Sequence, residues 1–99
     1  MDIKKELKDG ELTIELSGRL DTTTSPELEK ELKNSVVDDI KKLVFDFSTL
    51  EYISSAGLRV LLAAQKVMNK QGEMIILNAS SDIMEVFDIT GFSDILTIK

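Results

Sequence analysis

The residues able to do chemistry in this chain are few in kind. None of the 99 residues is a histidine or a cysteine. That removes imidazole acid–base catalysis, serine–histidine nucleophilic catalysis, thiolate chemistry, disulfides and histidine or cysteine metal sites. Hydroxyls and carboxylates remain. Two hydroxyls stand out, Ser54 and Ser55, in the stretch YISSAGLRVLL from Tyr52 to Leu62, between an apolar run that reads as a strand and one that reads as a helix. A serine there caps a helix, its oxygen accepting a hydrogen bond from a free backbone N–H, and either Ser54 or Ser55 can be that cap. One cap needs only one serine. The same helix start, with free N–H groups and the positive end of the dipole, also suits an anion such as a phosphate. Ala56 and Gly57 follow, small enough to let a phosphate or a partner approach the backbone closely.

The carboxylates offer less. Asp21 precedes Thr22, Thr23 and Thr24, a run whose side chains readily bond the local backbone in a turn before a helix. Asp46, inside LVFDFS, invites comparison with response-regulator receivers, small α/β domains with a phosphoacceptor aspartate at a strand end. No acidic pair ends the first parallel strand here, where the sequence is LSG, and no lysine lies near the end of EMIILNA. Asp46 is therefore expected to accept hydrogen bonds in the strand-to-helix loop, from Ser48 or Thr49. A serine at a strand-to-helix turn is also found in the nucleophile elbow, but that motif needs flanking glycines and a histidine base. Glu27, Glu29 and Glu31 fall on a solvated helix face and form no convergent dyad. No glycine-rich phosphate loop of known spacing is present. The chain reads as a binding protein and not an enzyme, with no cofactor and no metal.

Alternating patterns of strands and helices position these residues. IKKEL, the turn Asp9–Gly10 and ELTIELSG read as a hairpin, with Leu12, Ile14 and Leu16 on one face of its second strand. Thr24 or Ser25 caps a helix whose first turn holds Pro26 and whose apolar face is Leu28, Leu32 and Val36. Leu43 to Phe47 form a buried strand. A second helix runs from about Ser55 to Gln71 and stops at Gly72. EMIILNA, SSDIMEVFDITG and DILTI then supply a strand, a short capped helix and a last strand. The order β-β-α-β-α-β-α-β implies right-handed parallel crossovers with an antiparallel N-terminal edge strand, in one α/β domain over residues 1–99 with a mixed, mostly parallel sheet.

Composition narrows the partners. Apolar residues make up 42% and charged residues 30%, as in ordinary globular proteins. The longest apolar run, Val60 to Ala64, is far short of the ~20 residues that cross a membrane, and MDIKKELKDG has no apolar signal core. A cytoplasmic location is expected. A net charge of -6 with 12 basic against 18 acidic residues argues against nucleic acid, whose phosphates are held by clustered lysine and arginine. The second helix is apolar over a wide arc: Leu58, Leu61, Leu62 and Met68 can face the sheet, and Val60, Ala63, Ala64 and Val67 lie further round. Arg59, Lys66 and Lys70 form a basic stripe. The extra apolar residues pack against a neighbouring helix or meet a partner.

Taken together, LSGRLD (Leu16 to Asp21), LVFDFSTLEYISSAGLRVLL (Leu43 to Leu62) and the strand GEMIILNAS leading into its helix resemble, in order and spacing, the STAS domain family of bacterial anti-sigma-factor antagonists. Related domains occur in stressosome proteins and at the cytosolic ends of sulfate transporters. The resemblance covers essentially the whole chain and implies helices packed mainly on one face of the sheet. It implies that Ser55, two residues before Gly57, is phosphorylated by a partner kinase. Ser54, where the family often has aspartate, is the alternative acceptor. Asp21 matches an acidic residue near that helix start. The implied partner surface is Asp21, Ser54, Ser55, Ala56, Gly57, Arg59 and Val60. The implied partners are an anti-sigma factor that is also a serine kinase, and a serine phosphatase; the implied role is release of a sigma factor by the unphosphorylated form. The alternative is an unswitched STAS scaffold or stressosome-like subunit in which Ser55 is only a cap. Many family members carry a further helix after the last strand, whereas this chain ends at Ile98 and Lys99.

Overall fold

The computed structural model describes all 99 residues. Strand β1 (Asp2–Lys8) turns into β2 (Glu11–Leu20) through Asp9 and Gly10, followed by helix α1 (Ser25–Ser35), β3 (Lys42–Ile53), α2 (Ser55–Gln71), β4 (Glu73–Leu77) and α3 (Ser81–Thr90). A single 3-10 turn, Phe92–Asp94, closes the list of elements. Asp9 and Gly10 both have positive φ, 51° and 79°, the backbone that a tight two-residue hairpin loop demands. The sheet order is β1-β2-β3-β4, antiparallel between β1 and β2 and parallel elsewhere.

Alternation in the strands decides which face the helices cover. Leu12, Ile14 and Leu16 of β2 stand beside Leu43, Phe45 and Phe47 of β3 and Met74 and Ile76 of β4, all essentially inaccessible to water. Onto this face pack Leu28 and Leu32 from α1, Leu58, Leu61 and Met68 from α2, and Ile83 and Phe87 from α3. Each large side chain buried in this way contributes about 1.5–3 kcal/mol of transfer free energy. The other face carries no helix. There Glu6, Thr13, Val44 and Ile75 form one cross-strand row and Lys4, Glu15, Asp46 and Leu77 the next.

Two expectations about strands need correction. DILTI does not form a strand: the chain is still helical in backbone at Ile95 after the 3-10 turn, so only Ile98 pairs with Ile76. The Ile76 N–H donates to the Thr97 carbonyl and the Lys99 N–H to the Ile76 carbonyl, each at 2.9 Å. In addition, β3 does not stop at Phe47 but continues to Ile53. It does so by bulging against β2, where the register slips between Glu15 and Ser17 and again between Gly18 and Arg19. The Ser17 and Thr49 hydroxyls bond each other at 2.7 Å across the first slip, and Gly18 takes a positive φ of 95°. Extra residues at bulges are what allow pairing to resume beyond them. The consequence is that Leu20 and Ile53 end level with each other, and the loop before α2 shrinks to Ser54.

The other end of the sheet is tied by backbone. The Glu73 N–H donates to the Lys41 carbonyl at 3.0 Å and the Lys41 N–H to the Gly10 carbonyl at 2.8 Å. Gln71 Nε2 reaches the carbonyls of Val37 and Ile40, both at 2.7 Å. A side chain on Gly72 would put Cβ 1.9 Å from the Lys41 carbonyl oxygen. Gly72 thus stops α2 as expected, and does so because two backbones meet there.

Candidate functional site

At the carboxyl ends of β2 and β3 the two serines separate into two roles. Ser54 is the N-cap of α2: its backbone is extended and its hydroxyl accepts from the Gly57 N–H at 3.4 Å. Its own N–H donates to the Leu20 carbonyl at 2.9 Å, which locks the cap to the end of β2. Ser55 is the first helical residue. It is exposed, and its hydroxyl has no partner within the chain. The first N–H groups of a helix have no partner in its own ladder, so this hydroxyl stands on the positive end of α2 with nothing holding it.

Gly57 is required for a reason different from the one its sequence neighbours suggest. It is buried, and a Cβ there would lie 2.8 Å from Leu20 Cγ and 2.9 Å from Ile53 Cγ1. The close approach it permits is internal, of α2 onto the ends of β2 and β3, and not that of a phosphate or partner. Val60 is likewise buried, whereas Ala56 is half-buried and Arg59 is exposed.

Asp21 organises the neighbouring turn. Its Oδ1 accepts from the N–H groups of Thr23 and Thr24, at 3.0 and 3.1 Å, and Arg19 Nε lies 3.7 Å from Oδ2. The bond from the Thr24 amide is the main cause that lowers the Asp21 pKa, helped by Thr23, the Thr24 hydroxyl and Arg19 and opposed by desolvation. The predicted caps for α1 do not form. Thr24 occupies the N-cap position, but its backbone is helical and its hydroxyl makes no cap bond, donating instead to the Arg19 carbonyl at 2.7 Å. The Ser25 hydroxyl donates to the Asp21 carbonyl. Pro26 lies in the first turn, as expected.

Asp46 lies within β3 and not in a loop, because the strand runs on beyond it. Its Oδ1 accepts from the Ser48 N–H at 3.0 Å and from Asn78 Nδ2 at 3.1 Å. The Ser48 bond leads in lowering its pKa. Asn78 has a positive φ of 61°, so this carboxylate braces the turn that leaves β4.

Sequence reasoning passed over Arg19 and Tyr52. The Arg19 guanidinium carbon is 4.1 Å from the centre of the Tyr52 ring, a cation–π contact beside the cap, with Tyr52 41% exposed. The two are register partners in β2 and β3, a relation hidden in the sequence by the two bulges. Between the helix starts lies a hollow of about 390 Å³ lined in part by Thr22, Pro26, Ala56, Arg59 and Val60. It shares Glu29, Val60 and Ala63 with an apolar trough of about 320 Å³ between α1 and α2, which adds Leu32, Val36 and Val67. The wide apolar arc of α2 thus divides: Leu58, Leu61 and Met68 face the sheet, Leu62 is half-buried, and Ala63 and Val67 remain exposed along the trough.

The remaining helix supplies a comparison within the same molecule. α3 also starts with a serine pair: Ser80 caps it, accepting from the Ile83 N–H at 3.2 Å, and Ser81 is its exposed first residue. The surroundings differ. One turn after Ser55 stands Arg59, and no acidic residue occupies the first turn of α2. Next to Ser81 stands Asp82, with Glu85 one turn on.

Comparison with known proteins bears on this arrangement. The family model described as STAS domain matches residues 2–99. The chain is 38% identical over 91 residues, 91% of its length and 78% of the other, to BtrV of Bordetella bronchiseptica, a protein that carries the name of an anti-sigma factor antagonist. It is 31% identical over 103 aligned residues, 100% of its length and 90% of the other, to the anti-sigma-B factor antagonist of Listeria monocytogenes. Among solved structures it is similar to an anti-sigma factor antagonist from Mycobacterium paratuberculosis, with a TM-score of 0.88, 26% identity and coverage of 98% of this chain and 83% of that one. It shares the fold of the Bacillus cell fate determinant SpoIIAA in its phosphorylated form, with a TM-score of 0.77, 19% identity and coverage of 99% and 91%.

Proposed function

The chain belongs to the STAS domain family, and from that premise we propose that it is an anti-sigma-factor antagonist switched by phosphorylation of Ser55. The relatives named above supply the class of function. The unphosphorylated form docks on an anti-sigma factor that is also a serine kinase, through Asp21, Ser54, Ser55, Ala56 and Arg59, with Val60 on the floor of the hollow and Gly57 beneath holding α2 in place. Docking releases a sigma factor. The kinase transfers the γ-phosphoryl group of ATP to Ser55 Oγ, with loss of the hydroxyl proton and formation of ADP, and a serine phosphatase reverses the modification by hydrolysis. These events take place in the cytosol, the compartment that release of a sigma factor requires.

The observation that carries this reading is the division of labour in the serine pair. Ser54 is occupied by capping, while the Ser55 hydroxyl is exposed and unpaired. A phosphate adds about -1.5 to -2 charges at pH 7. At the positive end of a helix that charge is favourable by roughly 0.3–1 kcal/mol, and Arg59 stands one turn away on the same face. The fold therefore accepts the modification. Across a docked interface the same charge must be desolvated or set against like charge, a cost of several kcal/mol, and each ~1.4 kcal/mol is tenfold in affinity. The switch acts on the interface and leaves the fold alone.

The test starts from Ser55→Ala as bait in extracts of the source cells, followed by assay of the captured protein for ATP-dependent phosphorylation of the wild-type chain. A captured kinase that modifies wild type but not Ser55→Ala supports the switch. A captured partner that binds wild type, Ser55→Ala and Ser55→Asp equally supports the unswitched scaffold.

A further inference from the structure

β1 is an edge strand: it pairs with β2 and leaves its other side open. Lysines on such an edge ordinarily discourage pairing, but along one face of β1 the signs alternate in a self-complementary order, Asp2, Lys4, Glu6, Lys8. We propose that β1 pairs antiparallel with β1 of a second copy of this chain, joining two sheets into one of eight strands about a two-fold axis at Lys5. This proposal is independent of the function assigned to Ser55.

Strand geometry restricts the register to a few choices, and charge selects among them. In an antiparallel ladder directly opposed residues both bond or both do not, and alternate residues of an edge strand point their backbone groups outward. Opposed residues of two copies must therefore be both even or both odd, which puts the two-fold axis at a residue. An axis at Lys4 would set Asp2 against Glu6 and Lys4 against Lys4. An axis at Glu6 would set Lys4 against Lys8 and Glu6 against Glu6. Axes at Ile3 and Leu7 also oppose unlike charges, Asp2 to Lys4 and Glu6 to Lys8, but overlap only three residues of the strand. An axis at Lys5 pairs all seven and opposes Asp2 to Lys8 and Lys4 to Glu6, in two symmetric sets on the helix-free face. On the helix-covered face it opposes Ile3 to Leu7, and Leu7 is 65% exposed in the single chain. The central pair is Lys5 with itself. Each Lys5 is already neutralised within its own chain, its Nζ lying 3.0 Å from Glu31 Oε2 and 3.2 Å from Ser35 Oγ. One added ladder with a polar rim makes a small interface, so the association is weak and falls with added salt.

Sedimentation equilibrium at low ionic strength tests the pairing, with circular dichroism confirming that each variant folds. The expected result is a dimer that dissociates as salt rises. Glu6→Lys, which faces only Thr13 within its own chain, sets lysines against each other twice across the axis and is expected to weaken association by about tenfold or more. Mixing Glu6→Lys with Lys4→Glu restores complementary pairs and is expected to give a mixed dimer tighter than either variant alone. The chain has no native cysteine, so oxidation reads the register directly, since a disulfide needs Cα atoms within about 7 Å. Lys5→Cys is expected to cross-link faster than Lys4→Cys or Glu6→Cys. A wild-type chain that stays monomeric at every concentration overturns the proposal. So does a dimer indifferent to Glu6→Lys, or one that cross-links fastest at position 4 or 6.

Discussion

Helices α2 and α3 begin with the same two residues doing the same two things. Each has a serine cap whose hydroxyl accepts from the N–H three residues on, followed by an exposed serine in the first helical position. Both starts follow parallel strands of one sheet. What separates them is the next turn. α2 continues with Ala56, Gly57 and Arg59, beside a hollow and the Arg19–Tyr52 contact. α3 continues with Asp82, Ile83 and Glu85. A serine pair is thus sufficient for a cap, and on the proposed switch it is not sufficient for a site. The surrounding charge and shape decide whether an added phosphate is accepted and whether anything reads it.

The largest expected effect separates the two helices by binding. Ser55→Asp is expected to weaken affinity for the anti-sigma partner by about a hundredfold or more, measured by calorimetric titration, while Ser81→Asp leaves it within about twofold. Equal losses from both would erase the distinction drawn here.

Next comes packing. The third helical residue of α3 is Ile83, 1% exposed in the core, and that of α2 is Gly57, pressed on Leu20 and Ile53. Gly57→Ala is expected to lower stability by about 1–3 kcal/mol, as overpacking does, read from urea midpoints at constant slope. Partner affinity should fall with it, because the start of α2 is displaced.

The caps should behave alike. Ser54→Ala and Ser80→Ala are each expected to cost about 1 kcal/mol of stability, which chemical denaturation can compare side by side. A much larger loss at Ser54 would mean that its backbone bond to Leu20 depends on the hydroxyl.

A smaller effect concerns what surrounds the acceptor. In the Ser55→Asp background, Arg59→Glu replaces an attractive pair one turn apart with a repulsive one. It should lower thermal stability by the equivalent of about 0.2–0.5 kcal/mol for each pair lost or reversed, and less at high salt.

Each helix start also has a carboxylate bracing the turn beside it: Asp21 near α2, and Asp46, through Asn78, before α3. Both have folded-state pKa values held below the ordinary one, chiefly by backbone N–H donors. A depressed pKa stabilises the fold above the unfolded value and loses that contribution as pH falls through the folded one. Urea midpoints should accordingly decline below about pH 4, and Asp46→Asn should flatten part of that decline.

The elements with strong periodicity were legible in the sequence: the hairpin at Asp9–Gly10, the core face of β2, the existence of β3 and β4 as strands, and α2 from Ser55 to its stop at Gly72. So was the position of the serine pair, since a cap before an apolar helix is a local signal. What escaped depends on pairing between distant segments. β3 continues past Asp46, Ser48 and Thr49, residues that read as loop, because two bulges let it keep its hold on β2. The same bulges bring Arg19 beside Tyr52, and no spacing in the chain announces that contact. Gly57 looked like an opening for a partner because it and Ala56 are small, and only the positions of Leu20 and Ile53 show that its missing side chain points inward. The last strand failed because the turn at Phe92 to Asp94 carries helical backbone on to Ile95, although the apolar residues of DILTI read as β.

The most direct test of the central claim is site-resolved mass spectrometry of the protein isolated from its own cells, before and after treatment with a serine phosphatase. The account predicts phosphate on Ser55 that the phosphatase removes, with none on Ser81. Phosphate on Ser81, or no phosphate on Ser55 under conditions where the partner kinase is present and active, would contradict it.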